Sequence, residues 1–94
     1  MENDFNKKLD KYRKEIDKID RSIVDFLNKR AKIVSEIKKM KVKKGVPLYN
    51  ARREEKLMEN IAKYNKGPLY NDNIIQIFEC ILRNVQILEK DENL

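Results

Sequence analysis

The sequence predicts an all-α chain of one long helix and two shorter ones. Three observations carry this. Alternating β-branched runs, which mark half-buried strands, are absent. The two glycines and two prolines fall in only two places, "KKGVP" at 43–47 and "NKGP" at 65–68, and so cut the chain into three segments. The first segment repeats its apolar residues at alternating spacings of three and four, the period of a helix with one apolar stripe.

The first helix is expected over about residues 5 to 43. Its stripe is Leu9, Tyr12, Ile16, Ile19, Ile23, Phe26, Ile33, Ile37 and Met40, a heptad seam with a single gap at position 30. At about 1.5 Å per residue, such a helix is a rod of roughly 54 Å. Two short helices cannot cover that stripe alone. The sequence therefore calls for a partner chain, most simply a two-fold homodimer.

The second helix opens at Asn50, a residue type that caps helix N-termini, and runs to about Asn65. Its apolar face is Leu57, Met58, Ile61 and Tyr64. Arg53 and Glu54 precede Leu57 and Met58 by four and share that inward face, while Arg52 and Glu55 lie to the side. Two arginines in a first turn oppose the helix dipole, which favours negative charge there. They are either solvated, or at least one is held for an anion. The third helix starts near Asn71 or Asp72 and ends near 90, with "KDENL" expected to fray. Its stripe is Ile74, Phe78, Ile81, Val85 and Leu88, widened by Ile75, Ile77 and Leu82, and Glu89 follows Val85 by four.

Length and composition narrow the function. With 94 residues, one domain over 1–94 is expected. No apolar run approaches the ~18 residues that span a bilayer, and "MENDFNKK" carries no apolar signal segment. A cytoplasmic protein without a membrane partner is the expectation. Cys80 is the sole cysteine and histidine is absent, so a Cys/His zinc site is excluded and no metal is expected. Threonine is absent and serine occurs only at 22 and 35, so a nucleophile–His–acid arrangement cannot be assembled. A net charge of +6 fits either an anionic partner or a solvated lysine surface.

Position 30 should be apolar, yet it is Arg30. A buried guanidinium needs an anion. Either it forms an interhelical salt bridge, to Glu54 or Glu89, or it binds a ligand carboxylate or phosphate. Lys41 follows by eleven residues, almost in line on the helix and roughly 16 Å away, so both long side chains can converge on one small ligand. Arg13 is about 25 Å before Arg30 and about 100° around the helix. It cannot share that ligand within one chain, though a partner's copy in an antiparallel dimer could. Taken together, Arg30, Lys41, Arg53 and a partner Arg13 supply four cations, and Glu54 and Glu89 two carboxylates. That set suits a small dianion bearing a hydroxyl better than a nucleic acid, for which aromatic stacking and docking motifs are missing.

The ordered set "YRKEIDKID" (12–20), "NKRAKIV" (28–34), "KKMK" (38–41), "GVPLYNARRE" (45–54), "NKGPL" (65–69) and "IFECILRNVQILE" (77–89) resembles the all-helical, AroQ-class chorismate mutases over nearly the whole chain. The resemblance implies an intertwined helical homodimer with two shared active sites. It also implies rearrangement of chorismate to prephenate, in one step, without cofactor, metal or covalent intermediate. By resemblance, Arg13 of the partner and Arg30 bind the two substrate carboxylates, and Arg53 supports them. Glu54 and the backbone at Asn50 hold the ring hydroxyl, and Lys41 donates to the ether oxygen.

Three positions depart from the common bacterial pattern. Asn50 stands where Asp is frequent. Val85 replaces a hydroxyl residue that usually reaches a substrate carboxylate. Glu89 replaces the usual Gln donor to the ether oxygen and must be protonated to do that work. The alternatives are an isochorismate pyruvate-lyase on the same fold, against which Glu54 argues, and a non-catalytic module that senses chorismate or prephenate.

Overall fold

A computed structural model describes the backbone of residues 2–92 and the side chains of residues 3–85. The chain is all-helical: α1 (Glu2–Lys44), α2 (Ala51–Tyr64) and α3 (Asn71–Glu92). The expected helices are all present, and their ends fall within a few residues of the predicted ones. Contacts divide the chain into two compact units, Met1–Val34 and Ser35–Leu94. No described helix is long and apolar enough to cross a membrane.

The first unit is the N-terminal part of α1. Its seam residues Tyr12, Ile16, Ile19, Ile23, Phe26 and Ile33 are between 50% and 67% exposed. The heptad pattern has therefore built a helix without finding a cover for its stripe. Lys29 lies over the Phe26 ring, 5.7 Å from its centroid, a local cation–π contact one turn away. Arg30, Ala31 and Val34 differ from the seam in being half-buried.

The second unit begins with the last turns of α1. Here Ser35 and Lys41 are half-buried and Lys38 is buried, continuing the register of Arg30, Ala31 and Val34. Ile37 and Met40, on the seam, stay exposed. The end of α1 is a Schellman motif. Gly45 N–H donates to the Val42 carbonyl at 3.2 Å and Val46 N–H to the Lys41 carbonyl at 3.0 Å. Gly45 has φ +74, the left-handed conformation this motif requires. Pro47 follows and prevents any return to helix.

Helices α2 and α3 pack against each other. Leu57, Met58, Ile61 and Ala62 are half-buried on α2, as are Ile74, Ile75, Phe78, Ile81, Leu82 and Val85 on α3. Two expected members are missing. Tyr64 is 85% exposed, because it closes α2 where the chain turns away, and Ala62 takes its place in the face. Ile77 is 47% exposed, about 100° around the helix from Phe78. Leu88 lies outside the described side chains.

Asn65 organises the connection between the two helices. Its N–H donates to the Ile61 carbonyl at 2.9 Å, ending α2. Its side-chain Nδ2 donates to the Leu69 carbonyl and to Asn71 Oδ1, both at 2.8 Å. Its Oδ1 accepts from Gly67 N–H at 3.1 Å. One amide thus ties the end of α2, the loop and the first residue of α3 together. Gly67 has φ +79 and the Gly67–Pro68 bond is cis. Replacing Asn65 with Ala removes three hydrogen bonds at once. At about 0.5–1.5 kcal/mol each, and partly replaced by water, the expected loss is roughly 2 kcal/mol. Urea unfolding checks this: a midpoint equal to the parent's would mean that the loop holds without Asn65.

Candidate active site

Lys41 is anchored twice. It is the residue whose carbonyl closes the Schellman motif, accepting from Val46 N–H at 3.0 Å. Its Nζ then donates to the Leu48 carbonyl at 3.0 Å, across the loop it has just turned. An ammonium has three donors. One is given to Leu48, which directs the head. The turn sequence "KKGVPL" therefore does more than end a helix: it fixes a half-buried cation.

Beyond that loop the chain enters α2. Asn50 is extended, at φ −138 and ψ 96, and its Oδ1 accepts from Arg53 N–H at 3.1 Å. Its backbone carbonyl accepts from Glu54 N–H at 3.2 Å. The cap so fixes the backbone of both candidate residues. Their side chains part company. Glu54 is half-buried, in the register of Met58, Ile61 and Ala62, whereas Arg53 is exposed within the chain, as Arg52 is. The inward face expected for the pair holds for Glu54 only. The physical reason is angular: Arg53 stands one position, or about 100°, from Glu54, at the edge of the α2 face. Water screens both arginines from the dipole, and the carboxylate in the first turn complements it. Glu54 borders a groove of about 410 Å³, with Tyr49, Met58 and Leu82 among its other walls.

Arg30 belongs to the first unit. Its Nη1 is buried and, among the described residues, has no hydrogen-bond partner. Among the described residues, no salt bridge of the sort considered for Arg30 satisfies that atom. Arg13 is exposed. Val85 is half-buried on α3, in the stripe that packs on α2. Glu89 lies within the α3 backbone, but its side chain is outside the described ones. Among the described residues no cluster of His, Cys, Asp and Glu could hold a metal ion.

Sequence reasoning passes over Lys38, the single residue of the described set that is buried, at 8% exposure. Lysines are so frequent here that one more reads as solvated surface. The available signal is its register: Lys38 follows Arg30 by eight and precedes Lys41 by three, on the same broad face of the helix.

Comparison with known proteins gives a consistent match. A family model for chorismate mutase type II covers residues 12–90. The chain is 35% identical over 86 residues to the bifunctional chorismate mutase/prephenate dehydratase of Aquifex aeolicus, covering 87% of this chain and 24% of that protein. It is 30% identical over 84 residues to the chorismate mutase of Methanocaldococcus jannaschii, covering 88% of this chain and 85% of that one. It thus spans about a quarter of the bifunctional relative and most of the single-function one. A solved chorismate mutase from Thermus thermophilus, in its second form, superposes with a TM-score of 0.85 at 30% identity, over 88% of this chain and 94% of that chain.

Proposed function

The chain belongs to the type II chorismate mutase family, and we propose that it is a cytoplasmic homodimeric isomerase that rearranges chorismate to prephenate in phenylalanine and tyrosine biosynthesis. The observation that carries the reading is the buried Arg30 Nη1 without a hydrogen-bond partner among the described residues. A desolvated guanidinium nitrogen is costly unless an anion completes it. A substrate carboxylate is such an anion. The half-buried Lys41 ammonium, directed by the Leu48 carbonyl, adds a second point of attachment.

The residues divide the work. Arg30 and the partner subunit's Arg13 bind the two carboxylates, with Arg53 supporting the anionic pocket. Glu54 and the backbone at Asn50 hold the ring hydroxyl. Lys41 donates to the ether oxygen as the C–O bond breaks and negative charge grows there. Glu89, as the neutral acid, donates to the same oxygen. Val85 offers no hydroxyl, so one carboxylate contact is given up. Catalysis then rests on holding the folded, reactive conformer and on donors already in place where charge develops. No nucleophile is needed.

The homodimer is supported by burial. Among the described residues no apolar side chain is fully buried. The exposure of Arg13 on the same helix fits its use by a partner subunit.

The activity is tested by following loss of chorismate with purified protein and identifying the product. Arg30→Ala is expected to lower kcat/KM by about a thousandfold, since a charge-assisted contact in a dry site is worth several kcal/mol, while helicity is retained. Product other than prephenate, or full activity in the variant, would sink the assignment.

Arg13→Ala and Lys41→Ala homodimers each lack one residue at both sites. When the two are mixed, a heterodimer has one site with both lesions and one with neither. About a quarter of parental activity should return, because half the dimers are mixed and each has one intact site. No recovery after confirmed subunit exchange would mean that these residues do not act across a dimer.

The role of Glu89 has a pH signature. Only its protonated form donates, and its carboxylate repels the developing oxyanion, so activity should fall as pH rises. Glu89→Gln supplies a permanent donor and should raise kcat at alkaline pH and flatten the profile. A parent profile already flat, with a Gln variant no faster, would remove Glu89 from the ether oxygen.

A further inference from the structure

We propose that the buried Lys38 ammonium is the charge partner of the Glu54 carboxylate, and that it is a positioning residue which holds Glu54 toward the substrate's ring hydroxyl. The inference rests on the mutase reading and adds to it a residue that reading does not contain.

Lys38 is charged and 8% exposed. Lysine normally keeps its ammonium in water even when its stem is covered. A buried ammonium persists where a carboxylate or carbonyl answers it, since an isolated one would lose its proton or unfold its surroundings. Lys38 and Glu54 are each engaged in an interaction. The carboxylates of the same unit with described side chains are Glu36, Glu54, Glu55, Glu59, Asp72 and Glu79. Five of them are exposed, and Glu36 is occupied by Lys39 at 3.2 Å on the helix surface. Glu54 alone is withdrawn from water. Among the described side chains, matching burial with burial pairs Lys38 with Glu54.

The chain path allows it. Lys38 precedes Lys41 by three on the covered side of α1. Lys41 Nζ reaches the Leu48 carbonyl at 3.0 Å, so the loop folds back on the last turns of α1 before α2 begins. Glu54 stands in the first turn of α2, its backbone fixed by the Asn50 carbonyl at 3.2 Å.

The consequence is functional as well as structural. A carboxylate that must accept from a hydroxyl beside a dianionic ligand faces two problems. It can rotate, and it repels the ligand. An ammonium on one carboxylate oxygen answers both: it fixes the plane, leaves the other oxygen for the hydroxyl, and cancels the local negative charge. Lys38 touches no reacting atom in this account and acts through Glu54.

A double-mutant cycle tests it, with Lys38→Met, Glu54→Gln and the two combined, in the full-length protein. Lys38→Met should lower kcat/KM about tenfold, mostly through KM, because an uncompensated carboxylate then meets a dianion. In the Glu54→Gln background the same change should cost less than about twofold. Urea midpoints should be non-additive in the same sense, the double variant losing less than the sum of the two singles. Lys38→Arg, which keeps the charge, should recover most of both losses. Equal effects of Lys38→Met in both backgrounds would overturn the pairing, and coupled stability with uncoupled kcat/KM would overturn the positioning role. If Lys38→Met does not fold, Lys38→Arg and the charge-reversed pair Lys38→Glu with Glu54→Lys carry the test: a reversed pair no more stable than either single overturns the proposal. The stability cycle reads no activity, so it decides the pair even where the parent protein fails to consume chorismate.

Discussion

Among the described residues the apolar stripe of α1 from Tyr12 to Met40 lies open, and the proposed assembly and the proposed site both depend on that. Eight of its residues, from Tyr12 to Met40, each leave nearly half or more of their surface exposed. Covering them would contribute on the order of 10 kcal/mol per chain, at about 1.5–3 kcal/mol for each fully buried large side chain. Marginal stability of a small domain is of that same size. In the proposed homodimer the core would lie in the contact with a second copy. A site that borrows Arg13 from that copy would then form only when the fold is complete, so assembly and activity would be a single event.

Much of this was legible in the residues because the determining forces are local. A Gly two before a Pro after a basic last turn specifies the end of α1, and the left-handed Gly45 fulfils it. Asn50 caps α2 through the bond to Arg53 N–H. What the sequence could not reveal depends on neighbours far along the chain. Arg53 and Glu54 each precede an apolar residue by four, and only the observed face, which takes in Ala62 and leaves out Tyr64, shows that the carboxylate lies within it and the guanidinium at its edge. Tyr64 fits the α2 face by period and is excluded by the turn at Asn65. The three-way role of Asn65 has no periodic signature, since its partners are loop and helix-terminal groups.

Lys38 shows the same limit from the other side. A charged residue in a lysine-rich chain is read as surface by default, and the default is sound for nearly all its neighbours. Burial inverts the meaning of the residue without changing its identity. The cost of desolvating an ammonium is large enough that its presence inside implies a reason. Arg30 poses the same problem with a different answer, because its buried Nη1 has no hydrogen-bond partner among the described residues. In the proposed arrangement one buried cation is answered from within, and the other would be answered by the substrate.

Under the proposed function, that division is how a chain without histidine and without a placed nucleophile would accelerate a rearrangement. The reaction asks for nothing to be attacked, only for a dianion to be folded and for one oxygen to be relieved of charge. Both tasks are positional. Rigid placement of cations is what the local structure supplies: Lys41 is held by its carbonyl and its ammonium in the same turn. A lysine on a free helix end would have to be ordered at each turnover, with the entropy loss added to the barrier. Here the Schellman turn has ordered it during folding. In the proposed site the loop between α1 and α2 would belong to the catalytic apparatus as much as the side chains do, since the glycine that permits the turn is a condition for where the ammonium stands.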